Sequence, residues 1–148
     1  MKIIVSSCLL GCNCKYNGGN NYNNSLCEFL KNNNLEAVGI CPEVFGGLPT
    51  PRTPSEIRNG KVFFETGLDV TKEFTLGAVK SLDIAIKNNC KFAILKAKSP
   101  SCGCGEIYDG TFTHILKYGN GIACELFLQH NIKVFTENNY EDLLKYIK

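Results

Sequence analysis

Nine cysteines in 148 residues are more than an ordinary fold uses, and the odd number cannot be fully paired within one chain. Three of them follow segments that read as buried strands: Cys8 after Ile3-Ile4-Val5-Ser6, Cys41 after Glu36-Ala37-Val38-Gly39-Ile40, and Cys102 in the loop after Phe92-Ala93-Ile94-Leu95. Gly11, Pro42, Pro100 and Gly103 stand beside them and favour fixed, exposed backbone. Thiolates are ligands for zinc and for iron–sulfur clusters. These three lie too far apart in the chain for a local zinc knuckle, so folding must gather them. Three thiolates leave one position empty on a tetrahedral metal or on one iron of a cubane, and open positions mark catalytic sites. Spacing alone does not choose zinc or a cluster. Two other readings stand beside this one: Cys102-Gly103-Cys104 as a redox dithiol, and buried inert thiols, because Cys packs well. Cys27, Cys90 and Cys124 read as packing residues. Cys12, Cys14 and Cys104 are close enough to Cys8 and Cys102 to be auxiliary groups or alternative ligands.

Polar residues cluster at the same places. Glu43, two residues after Cys41, is a candidate general base. The blander reading is a surface glutamate capping a loop amide. Ser99 and Ser101 flank Pro100 beside Cys102 and could hydrogen-bond a substrate heteroatom, or serve only as loop caps. Arg52, in Thr50-Pro51-Arg52, has the fork to grip an anion such as phosphate, or is a solvated arginine. His114 and His130 are isolated and do not read as ligands.

Elements that would position these groups follow from periodicity. Strands are expected at residues 3–6, 36–40, 92–95 and 133–135. Helices are expected at residues 25–31, where Ser25 and Glu28 form a capping box, and at 69–88, 121–130 and 140–147. A small hairpin is expected within residues 56–66 around Asn59-Gly60. Residues 8–14, 44–55 and 108–112 read as loops. Strands alternating with helices predict an α/β, doubly wound, mainly parallel sheet with helices on both faces and a small hairpin insertion, in a single domain over residues 1–148. In such sheets ligands bind at the carboxyl ends of strands, where the three cysteines fall.

Composition narrows the function classes. With 44% apolar and 20% charged residues, the chain is neither a disordered tail nor a coiled coil. A formal charge of +2, with its basic residues scattered, gives no nucleic-acid stripe. No apolar run is long enough for a membrane span. The apolar core of residues 1–7 is too short for a secretory signal, so the thiols are expected in a reducing, cytoplasmic compartment.

Three stretches carry a resemblance: Val5-Ser6-Ser7-Cys8-Leu9-Leu10-Gly11 with Cys14-Lys15-Tyr16-Asn17-Gly18; Cys41-Pro42-Glu43 with Gly46-Gly47-Leu48-Pro49-Thr50-Pro51-Arg52; and Ser99-Pro100-Ser101-Cys102-Gly103 with Tyr108-Asp109-Gly110-Thr111-Phe112. In this order they resemble the thiouracil desulfidase family, a bacterial and archaeal group. The resemblance implies a [4Fe–4S] cluster held by Cys8, Cys41 and Cys102. It also implies non-redox, hydrolytic removal of sulfur from a thionated pyrimidine such as 4-thiouracil, its nucleoside or its nucleotide. Glu43 would deprotonate the attacking water, with Ser101 and Ser99 orienting substrate. Lys15-Tyr16-Asn17-Gly18 departs from the family's usual Arg-Tyr-Asp-Gly, and Cys12 and Cys104 are additions. The alternatives are a cluster- or metal-binding redox sensor without catalysis, and a thiol–disulfide enzyme using Cys102 and Cys104.

Overall fold

The computed structural model describes residues 1–147. Its centre is a four-stranded sheet in the order β2-β1-β5-β8, with every pairing parallel. The strands are β1 (Lys2–Ser6), β2 (Glu36–Ile40), β5 (Phe92–Leu95) and β8 (Lys133–Thr136). Both faces of β1 and β5 are covered, so residues 3–5 of β1 and all of β5 are continuously apolar rather than alternating. Successive side chains point to opposite faces. Ile3, Val5, Phe92 and Ile94 pack with Leu26 and Leu30 of α1 (Asn24–Asn32) and with Leu143 of a closing 3-10 helix, Tyr140–Tyr146. On the other face Ile4, Ala93 and Leu95 meet Leu82 and Ala85 of α3 (Thr71–Lys87) and Phe127 of α4 (Ile122–Gln129). Each fully buried Ile or Leu here contributes about 1.5–3 kcal/mol. The sheet is thus doubly wound, as the alternation of strands and helices predicts.

The insertion is larger than expected. The hairpin β3 (Ser55–Arg58) and β4 (Lys61–Phe64) turns at Asn59 and Gly60, whose φ angles of 55° and 76° suit a two-residue hairpin turn. A second hairpin, β6 (Glu106–Tyr108) with β7 (Leu116–Tyr118), was not legible in the sequence. Its strands have three residues each, too few for a period to show. Ile57, Val62, Phe64 and Ile107 share a third apolar cluster with Phe74 of α3 and join both hairpins to the domain.

Three local expectations are corrected. The N-cap of α1 is Asn23, whose side chain accepts the Leu26 N–H at 2.9 Å, in place of the Ser25–Glu28 capping box. Asn caps as well as Ser, and the helix begins two residues earlier than that box allows. Residues 7–10, read as loop, form a 3-10 helix ended by Gly11 at φ 96°. Residues 42–45, of which 44 and 45 read as loop, form the short helix α2 (Pro42–Phe45), with Cys41 at the N-cap and Pro42 at the first helical position. Among the described residues no helix is long and apolar enough to cross a membrane.

Candidate metal centre and active site

The strand order decides what meets. β1 lies between β2 and β5, so the ends carrying Cys8, Cys41 and Cys102 are neighbours. Parallel strands lie about 4.8 Å apart. A cavity of about 400 Å³ opens over these ends, and its lining includes all three cysteines with Glu43, Ser99 and Ser101. This volume falls within the range of about 300–1,000 Å³ usual for small-molecule sites.

Each group is held by backbone that its own sequence dictates. Cys8 rides on the 3-10 turn after β1, and its carbonyl accepts the N–H of Asn21 at 2.9 Å. Cys41 and Glu43 sit at the start of α2, which lies so close to α3 that a Cβ on Gly77 would overlap the Pro42 carbonyl. The Ser101–Cys102 loop is fastened to α4. First-turn amides of that helix, which have no partner inside it, donate to the loop: Ile122 N–H to Pro100 O at 2.9 Å, and Ala123 N–H to Ser101 O at 2.9 Å. A Cβ on Gly121 would lie 2.5 Å from the Ser101 carbonyl, so the close approach requires glycine.

The polar groups form one connected set. Ser101 is 1% exposed, and its hydroxyl donates to Glu43 Oε1 at 2.7 Å. Ser99 Oγ lies 3.0 Å from Ser101 Oγ and accepts the N–H groups of Ser101 and Cys102, each at 3.1 Å. Ser101 Oγ is also 3.5 Å from Cys102 Sγ. A hydroxyl has one proton, so the shorter contact to the carboxylate takes it and Ser99 completes the chain.

The thiols feel one another. Burial pushes the Cys102 thiol well above its ordinary range, and the Glu43 carboxylate adds to this. Burial also raises Cys8, opposed by a hydrogen bond from Asn21 and reinforced by the charges of Cys41 and Glu43. Cys41 goes the other way, because Cys14 donates a hydrogen bond to it. Cys14, only an auxiliary candidate in the sequence, is therefore a buried partner of the Cys41 sulfur. Among the described residues no three Cys, His, Asp or Glu side chains stand close enough to share one metal ion. The donor set thus does not form a mononuclear zinc site, in which sulfurs about 2.3 Å from one metal crowd together. Three soft thiols around a common cavity fit a polynuclear centre, in which each thiolate binds a different iron.

Other candidates fall differently. Arg52 lines the cavity, and its guanidinium donates to Cys14 O at 2.9 Å, Pro49 O at 3.2 Å and Thr50 Oγ1 at 3.1 Å, clasping two loops together. Cys104 hydrogen-bonds Cys124 and not Cys102, and this contact lowers Cys104 to about 7. Cys104 thus has Cys124 as its thiol partner, and all nine cysteines are free. His114 reaches the cavity wall with Tyr108 and Phe112, and Lys96 lines it too, paired with Glu137 at 2.8 Å. The sequence gives none of these a role at the site: His114 reads as isolated, and Tyr108 and Phe112 as part of a turn-rich loop. The Tyr108-Asp109-Gly110-Thr111-Phe112 turn was the one signal that could have pointed to them.

Comparison with known proteins agrees with this geometry. A solved structure described as [4Fe-4S]-dependent thiouracil desulfidase TudS superposes with a TM-score of 0.90 at 43% sequence identity, over 97% of this chain and 95% of that one. The uncharacterized protein YbbK of Bacillus subtilis (strain 168) is 39% identical over 152 residues, 96% of this chain and 99% of its own length. The 2-thiouracil desulfurase family matches residues 3–139, a span that contains every cavity residue named above. The chain belongs to the 2-thiouracil desulfurase family.

Proposed function

We propose that this protein is a [4Fe–4S]-dependent desulfidase that converts the thiocarbonyl of a thionated pyrimidine to a carbonyl by hydrolysis. Removal of sulfur from thiouracil is the activity of its family and of the similar solved structure. The assignment to particular residues rests on one observation: Cys8, Cys41, Cys102, Glu43 and Ser101 line one cavity at adjacent strand ends. Cys8, Cys41 and Cys102 would hold the cluster. When bound by three thiolates, such a cluster supplies an iron without a protein ligand, a soft Lewis acid suited to a thiocarbonyl sulfur.

The chain's own groups do the rest. Glu43 takes a proton from a water as its oxygen adds to the ring carbon. Ser101, 2.7 Å from Glu43 Oε1 and backed by Ser99, holds that carboxylate in place; once Glu43 is protonated, the Ser101 hydroxyl is released to donate to developing charge. The C=S bond is replaced by C=O and sulfur leaves as hydrosulfide. Water supplies the oxygen and the protons, so no electrons are exchanged.

The cavity has more room than a bare pyrimidine fills, and Lys15, Lys98 and Arg52 are among its lining residues. This supports a nucleoside or nucleotide as the preferred form, met in the reducing cytoplasm where free thiols persist. The test is anaerobic purification, assay of iron and sulfide, and loss of the 4-thiouracil chromophore. About four iron and four sulfide per chain are expected, with kcat/KM rising from base to nucleotide. Protein that holds the cluster and leaves every thionated pyrimidine intact would favour the sensor reading instead.

A further inference from the structure

Glu43, Ser101 and the thiols leave another part of the cavity wall without a role. Tyr108, Phe112 and His114 line it, all from the segment that ends β6 and leads to β7. The backbone there is strained: Phe112 has φ 59° and His114 φ 63°, a left-handed region that side chains this large rarely adopt. Specific contacts hold it so. Glu56 on β3 is 8% exposed, and its Oε1 accepts the N–H of Gly110 at 3.0 Å and of Phe112 at 3.1 Å. Asp109 Oδ1 accepts the Thr111 N–H at 3.0 Å and hydroxyl at 2.6 Å. Gly110, at φ 93°, approaches β3 so closely that a Cβ would lie 2.7 Å from the Ile57 carbonyl oxygen. Among the described residues no lysine or arginine ion-pairs with Glu56. A largely buried carboxylate without a cation is costly unless its hydrogen bonds offset the lost hydration. What those two bonds secure is the conformation of Phe112, whose half-buried ring is left facing the cavity.

We propose that Phe112 contacts the substrate by stacking on the face of the pyrimidine ring, and that Glu56 is the positioning residue that holds it there. This rests on the desulfidase reading above. Desulfuration requires the sulfur edge of the ring to be free for the metal centre and the ring carbon to be open to water. A face contact restrains the ring without occupying that edge, and aromatic stacking tolerates differences in the ring's substituents. Tyr108 and His114, edge to face with centroids 6.3 Å apart, complete the aromatic wall.

The experiment uses the cluster-loaded enzyme. Phe112→Ala is expected to raise KM for 4-thiouracil roughly tenfold or more, the effect of losing one stacking partner, with kcat within about threefold of the parent. Glu56→Ala should do the same, and Glu56→Gln, which keeps an acceptor oxygen, should recover most of the loss. Direct binding is read separately by equilibrium dialysis of 4-thiouracil against the Glu43→Gln enzyme with and without Phe112→Ala; the second change should weaken binding by a similar factor. That arm needs no turnover, so it distinguishes failure of this inference from failure of the desulfidase reading, which would leave 4-thiouracil intact in the parent enzyme. If Glu56→Ala does not fold, Phe112→Ala and Phe112→Leu on the half-buried ring decide the matter. Unchanged KM and unchanged dialysis for Phe112→Ala would overturn the stacking, and equal defects in Glu56→Ala and Glu56→Gln would overturn the positioning.

Discussion

The two sides of the cavity are built on opposite plans. The sheet side is regular: three adjacent parallel strands lead into the segments that carry the cysteines, Gly77 lets α3 close against α2 with its Glu43, and Gly121 lets α4 close against the Ser101 loop. The hairpin side is irregular, with Phe112 and His114 left-handed and Phe112 secured by a buried carboxylate. A regular scaffold holds donor atoms to fractions of an ångström, as bond-making requires. A loop pinned at a few points can present a ring face, where small displacement costs little. On the proposed assignment of residues, the chemistry belongs on the first plan and recognition on the second.

If that division holds, substitutions on the sheet side abolish turnover. Cys8→Ala, Cys41→Ala or Cys102→Ala should each remove the cluster and with it all desulfidation; iron content and the brown absorbance are the measurement, and full cluster content in any one of them would strike that residue from the ligand set. Glu43→Gln should keep the cluster spectrum and lower kcat by about 10²–10⁴, read from loss of the thiouracil chromophore. Gly77→Ala touches no substrate, yet it must push α2 from α3 and carry Cys41 and Glu43 with it. It should cost about 1–3 kcal/mol in denaturant melts and lower kcat more than it raises KM. A pure KM effect would mean that the sheet side also governs recognition.

The smallest effect is one of pH. Burial keeps the Cys102 and Cys8 thiols protonated above their ordinary value of 9.0. A pKa raised in the folded state favours folding below the unfolded value, and that advantage fades as pH rises toward the folded one. Metal-free protein should therefore lose thermal stability from about pH 9 upward. Loading, which needs thiolates, should instead improve as pH rises. A melting temperature that is flat from pH 7 to 10 would mean that folding does not raise the pKa values of these thiols.

Much of the sheet was legible from the chain. Ile3-Ile4-Val5 and Phe92-Ala93-Ile94-Leu95 are continuous apolar runs, and buried parallel strands read so because both faces are covered. Asn59-Gly60 between two short apolar runs located the first hairpin, since only residues tolerant of positive φ make that turn. The spacing of Cys8, Cys41 and Cys102 relative to strand ends pointed to a gathered site before any geometry was known. The cap at Asn23 is not legible because Asn24 and Ser25 beside it can make equivalent local hydrogen bonds, and the 3-10 turn at Cys8 is too short, at four residues, for a helical period to show.

Local patterns and motif order thus specified the strands of the central sheet, the longer helices and the family of donor groups, because propensity, burial period and turn chemistry act over a few residues at a time. They could not say that Ser101 donates to Glu43, that Gly77 lies under Pro42, that Cys104 turns to Cys124, or that Glu56 holds Phe112. Those pairings join residues far apart in the chain, and they depend on placing β1 between β2 and β5 and on two hairpins settling against α3. Such contacts come from packing the whole chain at once, when burying apolar surface fixes where each polar group must find its partner.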